Sequence, residues 1–456
     1  MLSDGKTPPR PQQIEIDVEV KRLFAAGYEI VGLNLPPGYG KSYLARAWQR
    51  EAPQTDILTC SNHLIDQYTG QYPELNAVKG RKHYATAKEY EDAKRIARGS
   101  TPSIFNPLSA LFTCPRETRP AKRIIVDEAH TLGEMLRNAA TVSLNASKTG
   151  LSRGSLSEYQ LTRWVSQRFH ELTRQMKFAA VNQREFEQIA ALYYAVAGHD
   201  QDSVFELRRS RTVVRGRIQE NLSVDVVDYP LGLIAQVLNS PQVILMSGTL
   251  TKYETERLAN GRKWVWVSRP YLPPAVNRPV FVQPVEDIDR KNTPKLAAQI
   301  RRIYEEGGRA PTLVHLTYAE VDIYEDALRD LRPILHRTSK EKGRAEKRFR
   351  NSGGLWLAAG CAEGIDLPDN LCRAIIIPTL QFPNKGDMYV QKRLSRPDGN
   401  RWYCIKTLEN TIQRLGRGLR HIDDYCRSFI LDPYFPRLWD QYGEEFEALA
   451  IQWGSR

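Results

Sequence analysis

The 456-residue sequence has only six cysteines, and Cys60, Cys114, Cys361, Cys372, Cys404 and Cys426 stand far apart with no C-x-x-C pair among them. That spacing gives a disulfide scaffold or a structural zinc site nothing to stand on and fits a reducing cytosol. Long apolar runs are also missing. No stretch approaches the roughly 20 residues of a membrane-spanning helix, and residues 1–13 lack the apolar segment of a secretory signal. Neither secretion nor membrane insertion is expected. The sequence points to a cytoplasmic or nucleoid-associated protein, in the host cytoplasm if a phage encodes it, with no membrane partner. Internal repeats of about 20–50 residues, the mark of solenoids and propellers, are absent.

The composition is that of a globular chain: 41% hydrophobic and 26% charged residues. An excess of 65 Lys and Arg over 53 Asp and Glu leaves +12, a mild bias toward polyanionic partners that decides nothing alone. At about 150 residues per domain, the length predicts two or three units.

Glu29 to Leu35 reads as a buried strand, followed by a Pro/Gly turn and a helix from about Lys41, the β-loop-α unit of an α/β domain. Two further apolar runs stop abruptly at polar residues: Ile124 to Val126 before Asp127, and Val243 to Met246 before Ser247. Both look like central parallel strands, at whose ends ligands collect. Residues 131–240 lie between them and form a predicted insertion, mostly helical, with helices over Leu161 to Phe178 and Phe186 to Val196. Alternation resumes with strands at Thr312 to Leu316, Leu355 to Ala358 and Ala374 to Ile377, and helices at Ala319 to Leu328 and Leu408 to Leu419. The expected layout is a first α/β domain over 1–130 and 241–262, the insertion over 131–240, and a second α/β domain over 263–456.

Pro37, Gly38, Tyr39, Gly40, Lys41 and Ser42 join a strand to a helix. In that context glycines let backbone N–H groups wrap phosphate oxygens, Lys41 can reach the β and γ phosphates, and the Ser42 hydroxyl can hold Mg²⁺. Leu35 stands where the strict phosphate-loop pattern has its first glycine. Asp127, Glu128, Ala129 and His130 follow their strand as a second motif: one carboxylate for Mg²⁺ and one to polarise the attacking water. Near the carboxyl end, Gln413, Arg417 and Arg420 at i, i+4 and i+7 share one side of a helix. Two guanidiniums and an amide together suit a γ-phosphate and its water, so ATP is expected between the two domains with these arginines supplying transition-state charge.

In this order the motifs resemble the superfamily 2 helicases, specifically the XPD and DinG group. Arg10, Pro11, Gln12 and Gln13 look like its Q motif, Gly38 to Ser42 like motif I, and Thr59, Leu64 and Gln67 like the T-x-x-x-x-L-x-x-Q of motif Ia. Gly80, Arg81, Lys82, His83 and Tyr84 are similar to its G-R-x-N-Y element; Asp127 to His130 form a DEAH box; Ser247 to Leu250 resemble S-A-T-L of motif III. Ser268 to Tyr271 stand where the group has Ser-Pro-Phe, Val314 to Tyr318 resemble motif IV, Glu363 to Asp366 match E-G-x-D of motif V, and Gln413 to Arg420 match Q-x-x-G-R-x-x-R of motif VI.

The resemblance implies two RecA-like P-loop NTPase domains, parallel sheets flanked by helices, with the insertion a reduced arch domain. It implies ATP and Mg²⁺ as cofactors and an ATP-dependent helicase or translocase moving 5′ to 3′ on single-stranded or forked DNA, as a monomer in action. An RNA helicase and a non-motor ATP switch remain as alternatives. Site roles follow residue by residue. Gln12, Gln13, Pro37, Gly38, Tyr39, Gly40, Lys41, Ser42, Asp127, Gly364 and Asp366 would serve the nucleotide, with Ser42 and Asp127 on Mg²⁺. Glu128 would be the base, Gln413 would lie near the water, and Arg417 and Arg420 would reach the γ-phosphate. Thr59, Arg81, Thr249 and Thr317 would meet nucleic acid, and His130 would bridge motifs rather than bind metal. Many members hold an iron–sulfur cluster on four cysteines between motifs I and II. Here only Cys60 and Cys114 occur in that interval, so no cluster is expected.

Three features stay open from the residues alone. Arg208, Arg209, Arg211, Arg215 and Arg217 could grip a phosphate backbone or be locally paired. The stretch Arg337 to Arg350 reads as an exposed helix with i,i+4 pairs. Trp264, Trp266 and Tyr271 could stack on bases or pack a domain junction.

Overall fold

A computed structural model of the chain describes residues 2–80, 83–97, 103–113, 121–145, 158–175, 183–196, 205–214, 217–270, 272–285, 293–361, 365–446, 449 and 451–453. Arg81, Lys82, Cys114, Arg215, Tyr271, Glu363 and Gly364, named above, lie outside the described residues, as do the side chains of Arg208, Arg209, Arg211 and Arg217.

The chain divides into two compact units, one of residues 1–33, 41–267 and 387–393, the other of 34–40, 268–386 and 394–456. The first is built on strands β1 (Ile30–Asn34), β2 (Thr55–Thr59), β3 (Asn76–Val78), β4 (Ser103–Phe105), β5 (Arg123–Asp127), β9 (Gln242–Ser247) and β10 (Trp264–Ser268). They form one seven-stranded sheet in the order β10-β1-β9-β5-β2-β4-β3. β1 is buried at every position, and β5 and β9 at every position after the first, which is why they read as continuous apolar runs rather than alternating ones.

The boundary expected at residue 263 moves. β10 belongs to the first sheet, where the main-chain N–H groups of Glu29 and Ile30 donate to the Lys263 carbonyl and set its register beside β1. Trp266, on β10, donates its indole N–H to the Leu250 carbonyl at 2.8 Å, and Trp264 packs against the first core, so both serve packing here.

The insertion, expected to be mostly helical, also carries a small sheet. The helices Glu158–Gln175 and Gln183–Val196 are present. Beside them β6 (Val142–Asn145), β7 (Phe205–Val214) and β8 (Arg217–Val226) form a three-stranded antiparallel sheet in the order β6-β8-β7. Nor is the insertion a separate body: Leu161, Val165, Leu192, Val224 and Val226 lie in the same buried cluster as Ile124, Val126, Val243 and Leu245 of the main sheet.

The seam where the insertion returns is held by charge. Arg393, fully buried, donates to the Tyr253 hydroxyl at 2.5 Å and lies 3.7 Å from Asp228, which also pairs with Arg257. Removing the carboxylate that these two guanidiniums share takes negative charge from a largely buried cluster. Asp228→Ala is therefore expected to destabilise the first unit by about 3 kcal/mol, read as a lower midpoint in urea unfolding. An unchanged midpoint would show that water reaches these arginines.

The second unit carries β11 (Val280–Val282), β12 (Thr312–Leu316), β13 (Ile334–Leu335), β14 (Leu355–Ala359), β15 (Ala374–Ile377), β16 (Arg427–Ile430) and β17 (Ile451–Trp453), ordered β13-β14-β12-β15-β16-β11-β17. Neighbouring strands in this sheet pair in parallel, β12 lying between β14 and β15. Leu296 and Ile300 of the helix Thr293–Glu306 cover it, packed with Val314, Leu357 and Ile376. The basic stretch behaves as an exposed, paired segment: Arg337 binds Asp322 at 2.7 Å and Arg350 binds Glu346 at 2.8 Å, at i,i+4. Among the described residues no helix is long and apolar enough to cross a membrane.

Candidate active site

In the first unit, the ends of three neighbouring strands bring Lys41 and Ser42 together with Asp127 and Glu128. After β1 the chain turns through Gly38 and Gly40, at φ +92° and +74°, a left-handed geometry that glycine adopts without strain. The helix Lys41–Glu51 begins at once, so Lys41 and Ser42 stand on its first turn, where the helix dipole favours an anion. Tyr39 is buried, while Pro37, Gly38 and Gly40 are half-buried.

Asp127 ends β5 and is buried; Glu128 follows it with φ +54°, a conformation rare for a residue with a side chain. Such strain costs on the order of 1–3 kcal/mol and persists where the surroundings over-determine it. They do so here. Glu128 Oε1 lies 3.9 Å from Lys41 Nζ, and its Oε2 accepts from the Ser247 hydroxyl at 3.0 Å and lies 3.3 Å from His130 Nδ1. Ser247, at the end of β9, also hydrogen-bonds His130 Nδ1 at 2.7 Å and accepts the Thr249 N–H at 3.2 Å. Motifs II and III are thus joined through one buried hydroxyl.

The two adjacent carboxylates are driven apart in acidity. Burial and the neighbouring Glu128 charge raise the Asp127 pKa. Burial opposes the Glu128 charge too, but Lys41, His130 and Ser247 outweigh it and hold Glu128 below the usual carboxylate range. A hydroxyl from Ser42 and a carboxylate from Asp127 are hard oxygen donors suited to Mg²⁺, and an acidic pair facing one lysine, Asp127 buried and Glu128 half-buried, is a setting in which a divalent cation relieves repulsion.

In the second unit the expectation of one helical face for Gln413, Arg417 and Arg420 is corrected. The helix Gly399–Leu415 carries Gln413 but stops at Gly416; Arg417 falls in the 3₁₀ turn Gly416–Gly418 and Arg420 beyond it. The i+7 spacing therefore has no helix to act through, because the glycines on either side of Arg417 tighten and end the last turn. What gathers the arginines instead is motif V. Arg417 Nη1 donates to the Ile365 carbonyl at 3.2 Å, Leu367 N–H donates back to the Arg417 carbonyl at 3.1 Å, and Arg420 Nε pairs with Asp366. Asp424 fixes the same turn by accepting from the Arg420 N–H at 2.9 Å and the Asp369 N–H at 3.1 Å.

Arg414, one residue past Gln413, was not singled out by the sequence pattern. It is buried, donates to Gln381, and burial lowers its pKa to about 10. Burial, with Arg414 and Arg417 beside it, holds His315 well below the normal imidazole range, so the ring stays neutral.

The remaining expected contacts divide. Gln13 is buried and its Oε1 accepts the Arg10 N–H at 2.8 Å, closing a capping box on the helix Pro11–Ala25; Gln12 beside it is half-buried. Thr59, at the end of β2, and Thr249 are both buried, Thr59 accepting the Ser61 N–H at 3.4 Å. Thr317 is half-buried, and its hydroxyl caps the helix Tyr318–Ala327 together with Glu320. Tyr68 is an addition that sequence spacing did not supply: its hydroxyl donates to Asp127 Oδ2 at 2.9 Å.

Comparison with known proteins matches residues 314–449 to the helicase C-terminal domain family. A stretch of 104 residues is 30% identical to the ATP-dependent DNA helicase CHL1 of Vanderwaltozyma polyspora, covering 18% of this chain and 12% of that protein. Another of 102 residues is 31% identical to the regulator of telomere elongation helicase 1 homolog of Drosophila ananassae, covering 19% and 10%. The matched stretches thus span about an eighth or less of these relatives. Among solved structures, XPD_APO superposes at a TM-score of 0.58 and 15% identity over 96% of this chain and 100% of that one. S. tokodaii Xpd4 superposes at 0.61 and 15% over 98% and 100%. The fold of two RecA-like units is shared.

Proposed function

We propose that this chain, which carries a helicase C-terminal domain on the fold of the XPD-type superfamily 2 helicases, is an ATP-dependent DNA helicase or translocase. It hydrolyses ATP and uses the energy to move along single-stranded DNA and separate strands, acting as a monomer. The observation that carries this reading is the cluster of Lys41, Asp127 and Glu128, with Ser42 on the same helix turn as Lys41, at the ends of β1 and β5, which flank β9 in one sheet.

Lys41 and the N–H groups of the loop and helix start hold the β and γ phosphates. Ser42 and Asp127 would hold Mg²⁺, which when bound neutralises charge on the phosphate oxygens. Glu128, kept ionised by Lys41 and His130, orients and deprotonates the attacking water. Arg417 and Arg420 exchange their present acceptors, the Ile365 carbonyl and Asp366, for the γ-phosphate as negative charge builds. Ser247, bonded to Glu128, His130 and the Thr249 N–H, ties the base to motif III, so a shift of motif III on nucleic acid reorients the base.

The test is steady-state ATPase activity of the full chain alone and with single-stranded DNA, duplex DNA or single-stranded RNA at fixed salt. Strong stimulation by single-stranded DNA is the expected result. Preferential stimulation by RNA would move the assignment to an RNA motor. Indifference to every nucleic acid would leave a protein-partnered ATP switch.

A further inference from the structure

Tyr68 belongs to none of the roles above. Its side chain is fully buried, and it lies on the helix Asn62–Gln71, one residue after Gln67 of the T-x-x-x-x-L-x-x-Q element. The phenol donates to Asp127 Oδ2 at 2.9 Å. The other Asp127 oxygen, Oδ1, accepts the Glu128 N–H at 3.0 Å. With both oxygens engaged, the plane of the carboxylate that the proposed function assigns to Mg²⁺ is fixed.

From this geometry we infer that Tyr68 is a positioning residue for the magnesium site: it sets the orientation of the Asp127 carboxylate and anchors it to the helix that follows β2. The inference rests on the proposed assignment of Ser42 and Asp127 to Mg²⁺. Its physical content is that of other outer partners of metal ligands, which cost no metal bond themselves but hold the ligands in a binding geometry. The link to the helix gives the site a mechanical input. A displacement of Asn62–Gln71 moves the phenol, and the phenol is bonded to Asp127.

The test uses the full chain and a fluorescent, non-hydrolysable ATP analogue, titrated without metal and at rising Mg²⁺, with Mn²⁺ binding followed by electron paramagnetic resonance as a second readout. Wild type, Tyr68→Phe and Asp127→Ala are compared. The phenylalanine keeps the ring and its packing and removes only the hydroxyl that donates to Asp127. Half-saturation in Mg²⁺ is expected to rise about tenfold or more in Tyr68→Phe, with unchanged affinity for the metal-free analogue. A Tyr68→Phe curve coincident with wild type, while Asp127→Ala loses its magnesium response, would overturn the role of Tyr68 and leave the site assignment standing. Loss of metal-free nucleotide affinity in Tyr68→Phe would show a general structural part and also overturn it. If Asp127→Ala keeps the wild-type magnesium response, the assignment of the site fails and the inference falls with it.

Discussion

Glu128→Gln is expected to retain ATP binding and to lose hydrolysis by a factor of about 10²–10⁴, the range a positioned general base contributes. The substitution isolates basicity from shape. Gln has the size of Glu and can still accept from the Ser247 hydroxyl, now 3.0 Å from Oε2, so the left-handed turn at residue 128 and the motif II–III link persist. What disappears is the negative charge facing Lys41 at 3.9 Å, and with it the proton acceptor. Because Lys41 no longer shares its charge with a carboxylate, nucleotide affinity should be equal to wild type or higher. Parallel measurement of turnover and of binding to a fluorescent nucleotide checks both halves, and undiminished hydrolysis would remove Glu128 from the role of base.

Arg417→Ala is expected to lower turnover by about 10³ or more while leaving nucleotide affinity nearly unchanged, the signature of a group that acts on transition-state charge. In the present structure Arg417 Nη1 donates to a neutral main-chain carbonyl at 3.2 Å, and trading such an acceptor for a phosphate oxygen gains a charge-assisted bond. Arg420 differs, since its partner is the carboxylate of Asp366, so its release costs more. Arg417→Lys separates charge from geometry: a lysine cannot form the planar fork and should recover only part of the rate. Near-normal turnover in Arg417→Ala would exclude the residue from the chemistry.

The motifs were legible because their chemistry demands particular residues at particular strand ends. Lys41 and Ser42 after β1, and Asp127 and Glu128 after β5, announce themselves by an apolar run that stops at a polar residue. Motif VI was legible as a set of residues but not as a shape. Spacing put Gln413, Arg417 and Arg420 on one helix, whereas Gly416 and Gly418 end that helix and the Ile365–Asp366 segment collects the arginines. Tyr68 was invisible because a buried tyrosine on an amphipathic helix has no pattern of its own. Its partner Asp127 is 59 residues away in sequence.

The sequence by itself determined the fold class, the order of the motifs and the residues able to handle phosphate and a divalent cation, because local strand–loop–helix chemistry is written in contiguous residues. Tertiary structure decided the rest. It placed β10 in the first sheet, fused the insertion to the first core, and set Ser247 and Tyr68 as the hydroxyls that lock the acidic pair. Each of these depends on pairing and packing between segments far apart in the chain, and no periodicity or motif spacing encodes which distant strand end a buried hydroxyl will meet.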